Sequence, residues 1–346
     1  MGHSGTGNTG GKLGGTLIGI LVSAALLLYL AKNIEWEQFL QQFDRINWLY
    51  LPLLIVLFFL SLWIRAIRWR YLLPSGRPLS NARLFDATVI GLFGTCVLPL
   101  RAGEFLRPWI LSRTENVSFT AGFASVVTER VFDVLTILGL LGLTLHAIEA
   151  DHELIRVGAK ALGALALVIL LVMLLAYFSS ELLIRVLTQI VNRCCEKKHP
   201  QIAKKILSAA GEFIDGLRAI SSYRELSLVL FWSIALWLEM AFLYQVGMWM
   251  FGEYPSFWVG ISLTVLIALA VAAPSAPGFL GTFQVGCSAA LSGIFHYPNE
   301  FALAYSVVLH AYQVLLAVIS GAYILKRLGL SFSDIRRSSG NAEGSV

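Results

Sequence analysis

Residues 97–111 read VLPLRAGEFLRPWIL. Two arginines and a glutamate sit inside an otherwise apolar run that carries Pro99, Gly103 and Pro108. Proline removes a backbone donor and glycine resists helix, so the run breaks near Pro99 and Gly103 instead of continuing. If residues 101–113 are helical, Arg101, Glu104 and Arg107 recur every third residue and drift only about 60° per step, forming one charged stripe. Two readings of that stripe stay open. The arginines reach for lipid headgroups at an interface while Glu104 balances them, or the stripe handles a substrate.

The surroundings decide what kind of protein carries such a break. Apolar residues make up 57% of the 346-residue chain and charged residues 14%, with a mean hydropathy of +0.73. Crossing ~30 Å of hydrocarbon takes roughly 20 helical residues, and several runs reach that length. The runs are continuous, not alternating, so helices and not a barrel are expected. They fall near 13–31, 48–67, 84–99, 118–148, 157–178, 226–251, 257–273, 282–295 and 301–325. Those at 84–99 and 282–295 are short for full crossings, and each abuts a Pro/Gly break, LPLRAGE in the first half and APSAPGFLG in the second.

Lys and Arg concentrate at 65–83, 185–224 and the C-terminus, which predicts these regions to be cytoplasmic. The loops near 33–46, 149–154, 252–256 and 296–300 are acidic or nearly uncharged and are expected outside. Parity then requires 84–111 to enter and return on the cytoplasmic side, and 257–295 to do the same from the opposite face. The expected fold class is therefore all-α: a polytopic membrane helix bundle of about six full spans plus two oppositely oriented re-entrant hairpins, a pseudo-inverted repeat of the kind transporters use. A flexible N-terminus (1–12), a membrane domain (13–328) and a disordered tail (329–346) are expected, with both termini cytoplasmic in the plasma (inner) membrane. The first hydrophobic segment lacks a convincing cleavage site and reads as a retained span. Within the membrane domain, 181–224 is a cytoplasmic or interfacial segment joining the halves; its part at 196–224 reads equally as an amphipathic helix on the inner leaflet or as a solvated linker. Trp36, Trp48, Trp63, Trp69, Trp249 and Trp258 fall near segment ends, as interfacial anchors do.

The segment SVVTERVFDVLT puts Ser125, Glu129, Asp133 and Thr136 within an arc of about 80° on a helix, with Arg130 one i+3 step from Asp133. Three ionisable groups on one spanning helix are costly and are kept chiefly when they pair, line a water-filled cavity or meet a substrate. A substrate role is favoured over an ion network that only locks packing. In AAPSAPGFLGTFQ, Pro274, Pro277, Gly278 and Gly281 break the chain, and a helix starting near Thr282 would aim its positive end at any cavity there. Phosphate is a natural occupant of such a break, with a packed hinge as the alternative. Ser306, His310 and Gln313 share a face of the last span; with Gln284 and the isolated Glu239 they form a second tier of candidates. No catalytic constellation, nucleotide loop, nucleic-acid module, cofactor or metal-ligand spacing is recognisable. Cys96, Cys194, Cys195 and Cys287 are expected to form neither disulfide nor metal site.

LPLRAGEFLRPWIL, then TERVFD, then APSAPGFLGTFQ, in that order, resemble the flippase-like family named for the transmembrane region of lysylphosphatidylglycerol synthases, which includes UPF0104-type proteins and also occurs fused to archaeal glycosyltransferases. The resemblance covers about 15–328. It implies movement of phospholipids or polyprenyl-linked lipids, with aminoacyl or glycosyl headgroups, between leaflets. It carries the charged positions over as Arg101, Glu104, Arg107, Glu129, Arg130 and Asp133, and implies a possible separate synthase or glycosyltransferase as partner. Gln284 stands where many relatives carry an acid, which weakens the expectation of a shared proton or cation site. No aminoacyl-transferring domain follows the last span, so the chain is expected not to be an enzyme. An oligomer is compatible with all of this. An ion-coupled solute carrier and a membrane-embedded lipid enzyme are the rivals.

Overall fold

The computed structural model describes residues 9–32, 34–73, 79–99, 102–115, 117–147, 180–191, 222–273, 275–331 and 334–335, with isolated helical positions between 164 and 211. The expected span at 157–178, the segment at 196–224, Arg101 and Pro274 lie wholly or almost wholly outside them.

Every regular element among the described residues is helical. In chain order these are α1 (Thr9–Ala31), α2 (Trp36–Asp44), α3 (Leu51–Arg70), α4 (Asn81–Val97), α5 (Gly103–Thr114), α6 (Phe119–Ala147), α7 (Ser180–Val191), α8 (Tyr223–Met250), α9 (Phe257–Ala272), α10 (Thr282–Ser288) and α11 (Asn299–Arg327). A 3₁₀ turn at Trp48–Tyr50 leads into α3, and a π-helical stretch at Ala289–Ile294 extends α10.

Three helical stretches are long and apolar enough to cross a bilayer, Trp48–Arg70, Tyr223–Met250 and Asn299–Arg327, and a fourth if α1 and α2, bent by 91°, count as one span. The expected six are three or four by this measure among the described residues. α6 has the length, 29 residues or ~44 Å, but Glu129, Arg130 and Asp133 interrupt its apolar run. Large apolar side chains face outward along several helices, among them Val56, Leu60, Leu143, Ile234, Leu315 and Ile319. A surface of that kind suits hydrocarbon and not water. The short α7 exposes Leu182, Ile184, Val186 and Ile190 and buries Val191.

Contacts divide the chain into two units. The first comprises Met1–Phe59, Val89–Leu106 and Glu239–Val346. Within it α9 packs on α10, α10 on α11 and on α1, and α11 on α2. The start of α5 folds back on α4, where a side chain on Gly103 would fall 2.0 Å from the Gly91 carbonyl oxygen. Gly286 of α10 likewise abuts the backbone of Ile267 on α9. Both Pro/Gly breaks therefore turn the chain back onto the preceding helix. The second unit comprises Leu60–Thr88 and Arg107–Leu238; it holds the rest of α3, α4 and α5, the first part of α8, and α6 and α7.

Candidate functional site

The charges of α6 lie in its middle, and Glu129 and Asp133 are buried there, 0% and 3% exposed. An unmatched carboxylate in such a place is strongly destabilising, so the fold must deliver cations to it. It delivers them from two other helices of the second unit. Arg68 of α3, wholly buried, sets Nη2 2.8 Å from Oε1 of Glu129 and Nη1 2.6 Å from Oδ1 of Asp133. Its Nη1 also donates to Ser233 Oγ on α8 at 3.2 Å. Arg107 of α5 donates Nη1 to Glu129 Oε1 at 3.1 Å and brings Nη2 to 3.0 Å from Oε2 as an ion pair. The charge on both partners strengthens that hydrogen bond.

Aromatic groups complete the setting. The Arg107 guanidinium carbon lies 4.3 Å from the centroid of the Trp69 ring, a cation–π contact made stronger by the absence of water. Trp69 Nε1 donates to Ser125 Oγ at 2.7 Å, and that hydroxyl donates to the Gly122 carbonyl at 2.7 Å. Trp237 Nε1 donates to Asp133 Oδ1 at 3.1 Å. Arg130 differs from its neighbours, because its side chain is 42% exposed. It reaches Glu129 Oε1 at 3.2 Å and Asp133 Oδ2 at 3.4 Å.

Four of the six stripe residues read from the sequence thus converge: Arg107, Glu129, Arg130 and Asp133. Glu104 is half-buried in the first turn of α5, where its charge favours the helix end, and it belongs to the first unit. Two members of the cluster were not recognised in the sequence as site residues. Arg68 counts there among cytoplasmic charges and Trp69 among interfacial anchors, yet neither has any exposed surface. Trp36, Trp48, Trp63 and Trp258 are exposed, as anchors should be.

The second break is organised differently. Gly278 and Gly281 hold φ of +73° and +84°, a region L side chains avoid. α10 begins at Thr282, where the sequence predicts it. His310 of α11 ties the break together. Its Nε2 lies 2.6 Å from the Gly278 carbonyl oxygen, which only accepts, so Nε2 carries the proton. Nδ1 then accepts from Gln284 Nε2 at 3.1 Å, and Gln284 Oε1 accepts the Gly281 N–H at 2.8 Å. The imidazole stacks on Phe283, with centroids 4.7 Å apart. The Gly281 N–H, a donor that phosphate at this helix start would use, is already bonded. Pro277 opens the 3₁₀ turn Pro277–Phe279, and Pro99 is exposed just after α4. Of the other second-tier residues, Glu239 is buried in α8 and Gln313 half-buried in α11. Among the described residues, no group of three or more His, Cys, Asp or Glu side chains is placed to hold a metal ion.

Comparison with known proteins follows the same stretch of chain. The family described as the lysylphosphatidylglycerol synthase TM region matches residues 16–321. Glycosyltransferase AglD of Haloferax volcanii is 24% identical over 309 residues, covering 80% of this chain and 49% of that protein. The chain thus spans about half the length of that relative. A UPF0104 membrane protein of Methanothermobacter thermautotrophicus is 24% identical over 84% of this chain and 86% of its own length. UPF0104 membrane protein PH1989 of Pyrococcus horikoshii is 24% identical over 84% of this chain and 90% of its own. No solved structure matches.

Proposed function

The chain belongs to the lysylphosphatidylglycerol synthase transmembrane-region family, and from that membership we propose that it moves the polar headgroup of a phospholipid or of a polyprenyl-linked aminoacyl or glycosyl lipid between membrane leaflets. The observation that carries this reading is the buried cluster of Arg68, Arg107, Glu129, Arg130 and Asp133 at the middle of a long membrane helix. Charges at that depth are kept where they pair, line a polar cavity or meet a substrate, and this reading takes the cluster as the last. The cluster supplies a polar stage in the apolar barrier, and Arg130, half-exposed at its edge, is the side chain best exposed to an incoming headgroup.

In this reading the two breaks, LPLRAGE near Pro99 and Gly103 and APSAPGFLG at 273–281, are the turns of re-entrant hairpins of opposite sense, set among about six full spans with both termini cytoplasmic in the inner membrane. Arg101 and Glu104 are proposed as further headgroup-binding residues on their charge alone. Pro99, Gly103, Pro274, Pro277, Gly278 and Gly281 shape the turns. The name of the Haloferax relative, a glycosyltransferase, supports a separate glycosyltransferase or synthase as the partner that makes or uses the moved lipid.

Proteoliposomes with a fluorescent phospholipid test the reading. Dithionite bleaches the outer leaflet at once and the inner leaflet only as lipid crosses. Wild-type protein should accelerate the slow phase, and Arg107→Ala and Glu129→Gln should abolish the acceleration. Exchange at the wild-type rate in both variants would show that the cluster is not the path.

A further inference from the structure

We infer that Arg65 of α3, with Arg130 of α6 beside it, forms the seat for the phosphate of an anionic lipid, while Arg68 and Arg107 only hold the acids in place. The argument starts from helix direction. Trp69 meets Ser125, and Arg68 meets Glu129 and Asp133, so α3 and α6 run antiparallel. Arg65, one turn before Arg68, therefore falls at or just beyond the level of Asp133. Its guanidinium lies in electrostatic range of Asp133, Arg130, Arg68 and Glu129.

Charge then separates the roles. Glu129 and Asp133 are shared by Arg68, Arg107 and Arg130. Arg65 is half-buried and makes no ion pair with a described carboxylate. Counting Arg65, four arginines and two carboxylates meet here among the described residues. Guanidinium groups that sense one another where water is scarce repel unless an anion lies near both. Arg68 and Arg107 are 0% and 6% exposed and each contacts a buried carboxylate, so neither has room for a ligand arriving from the surface. Arg65 and the exposed edge of Arg130 do.

The source of the phosphate follows from what adjoins it. Val134, one turn on from Arg130 on the same face of α6, is 40% exposed. An anion that reaches Arg130 over this apolar surface is one that brings acyl chains with it. A phosphate-bearing lipid fits; a soluble anion does not. This assignment rests on the headgroup reading above for its lipid.

Binding is measured on the purified full chain in detergent, with dihexanoyl-phosphatidylglycerol, dihexanoylglycerol and inorganic phosphate as probes. Wild-type protein should bind the phosphatidylglycerol at least about tenfold more tightly than the phosphate-free lipid, and Arg65→Gln and Arg130→Gln should each weaken it about tenfold. Arg65→Lys should retain most of the affinity. Equal wild-type affinity for the two lipids overturns the site, and this comparison stands even if a glutamine variant fails to fold. Unchanged affinity in two folded glutamine variants also overturns it. Inorganic phosphate that binds as tightly as the lipid and displaces it overturns the lipid assignment. Leaflet exchange is read separately. Phosphate-selective binding without exchange sinks the transport reading and supports the site, whereas exchange with no phosphate selectivity sinks the site alone.

Discussion

Arg68 and Asp133, 65 positions apart in sequence, meet with Nη1 2.6 Å from Oδ1, and neither side chain is more than 5% exposed. The same guanidinium holds Glu129 at 2.8 Å, so one residue bridges two buried acids. Removing it takes from each its shortest contact with a cation and leaves a hole where the guanidinium stood. Arg68→Met should therefore destabilise the folded protein by ~3–5 kcal/mol. Arg70, two residues on, is exposed and bonds only Asn81 at 3.3 Å, so Arg70→Met should cost under ~0.5 kcal/mol. Thermal unfolding in a fixed detergent compares the two; similar midpoints would mean that Arg68 does not brace the acids.

Trp69 supports the pair from the side. It offers a ring face to Arg107 and an N–H to Ser125. Trp69→Phe keeps the face and loses the donor, leaving a buried hydroxyl short of a partner, which costs about 1–3 kcal/mol. Trp69→Ala loses the face as well and opens a cavity, for a total of ~3–5 kcal/mol. The ordering of the two variants in an unfolding series is the check, and equal losses would remove the ring's contact with Arg107 from the account.

The ends of α4 and α9 beside Pro/Gly-rich stretches, the start of α10 and the grouping of Glu129, Arg130 and Asp133 are legible in the sequence because proline, glycine and helical spacing act locally. Arg68 and Trp69 are not. An arginine near the end of an apolar run carries the same local signal whether it faces a cytoplasmic loop or the core, and the surrounding charges gave no warning. Glu129 and Asp133 already balance against Arg107 and Arg130, so nothing in the tally asks for a third cation. The RAIRWR spacing, with Arg65 and Arg68 one turn apart, was the available signal that one face of α3 is charged. His310 and Gln284 were each visible as polar residues in apolar helices, but their pairing spans 26 positions and depends on how the chain folds at the break.

Gln284 joins two partners by opposite ends of one amide, accepting from Gly281 and donating to His310. Gln284→Leu strands both and should cost about 1–3 kcal/mol for each buried group left unpaired. Gln284→Glu keeps the acceptor and removes the donor. His310 Nδ1 then needs its own proton to meet the new carboxylate, while Nε2–H stays on Gly278, so the variant gains an ion pair that forms as the pair takes up a proton. Its unfolding midpoint should vary with pH over a range in which the parent's stays flat. Identical pH profiles for the two would break the link between Gln284 and the histidine.

Gly103 marks where backbone and backbone meet with no room between them. A Cβ there would sit 2.0 Å from the Gly91 carbonyl oxygen and 2.3 Å from the Thr95 nitrogen, and neither is the end of a side chain that can swing aside. Gly103→Ala should therefore lie at the severe end of overpacking, ~3 kcal/mol or more. Gly139, exposed in α6 with nothing within 4 Å of the same added atom, is the matched control. Alanine is the better helix former there, so Gly139→Ala should leave stability equal or raise it by up to ~1 kcal/mol. Unfolding midpoints of the two alanine variants, measured side by side, should fall for Gly103→Ala and hold or rise for Gly139→Ala; a Gly103→Ala protein as stable as the parent would mean that α5 is not pressed against α4 at this turn.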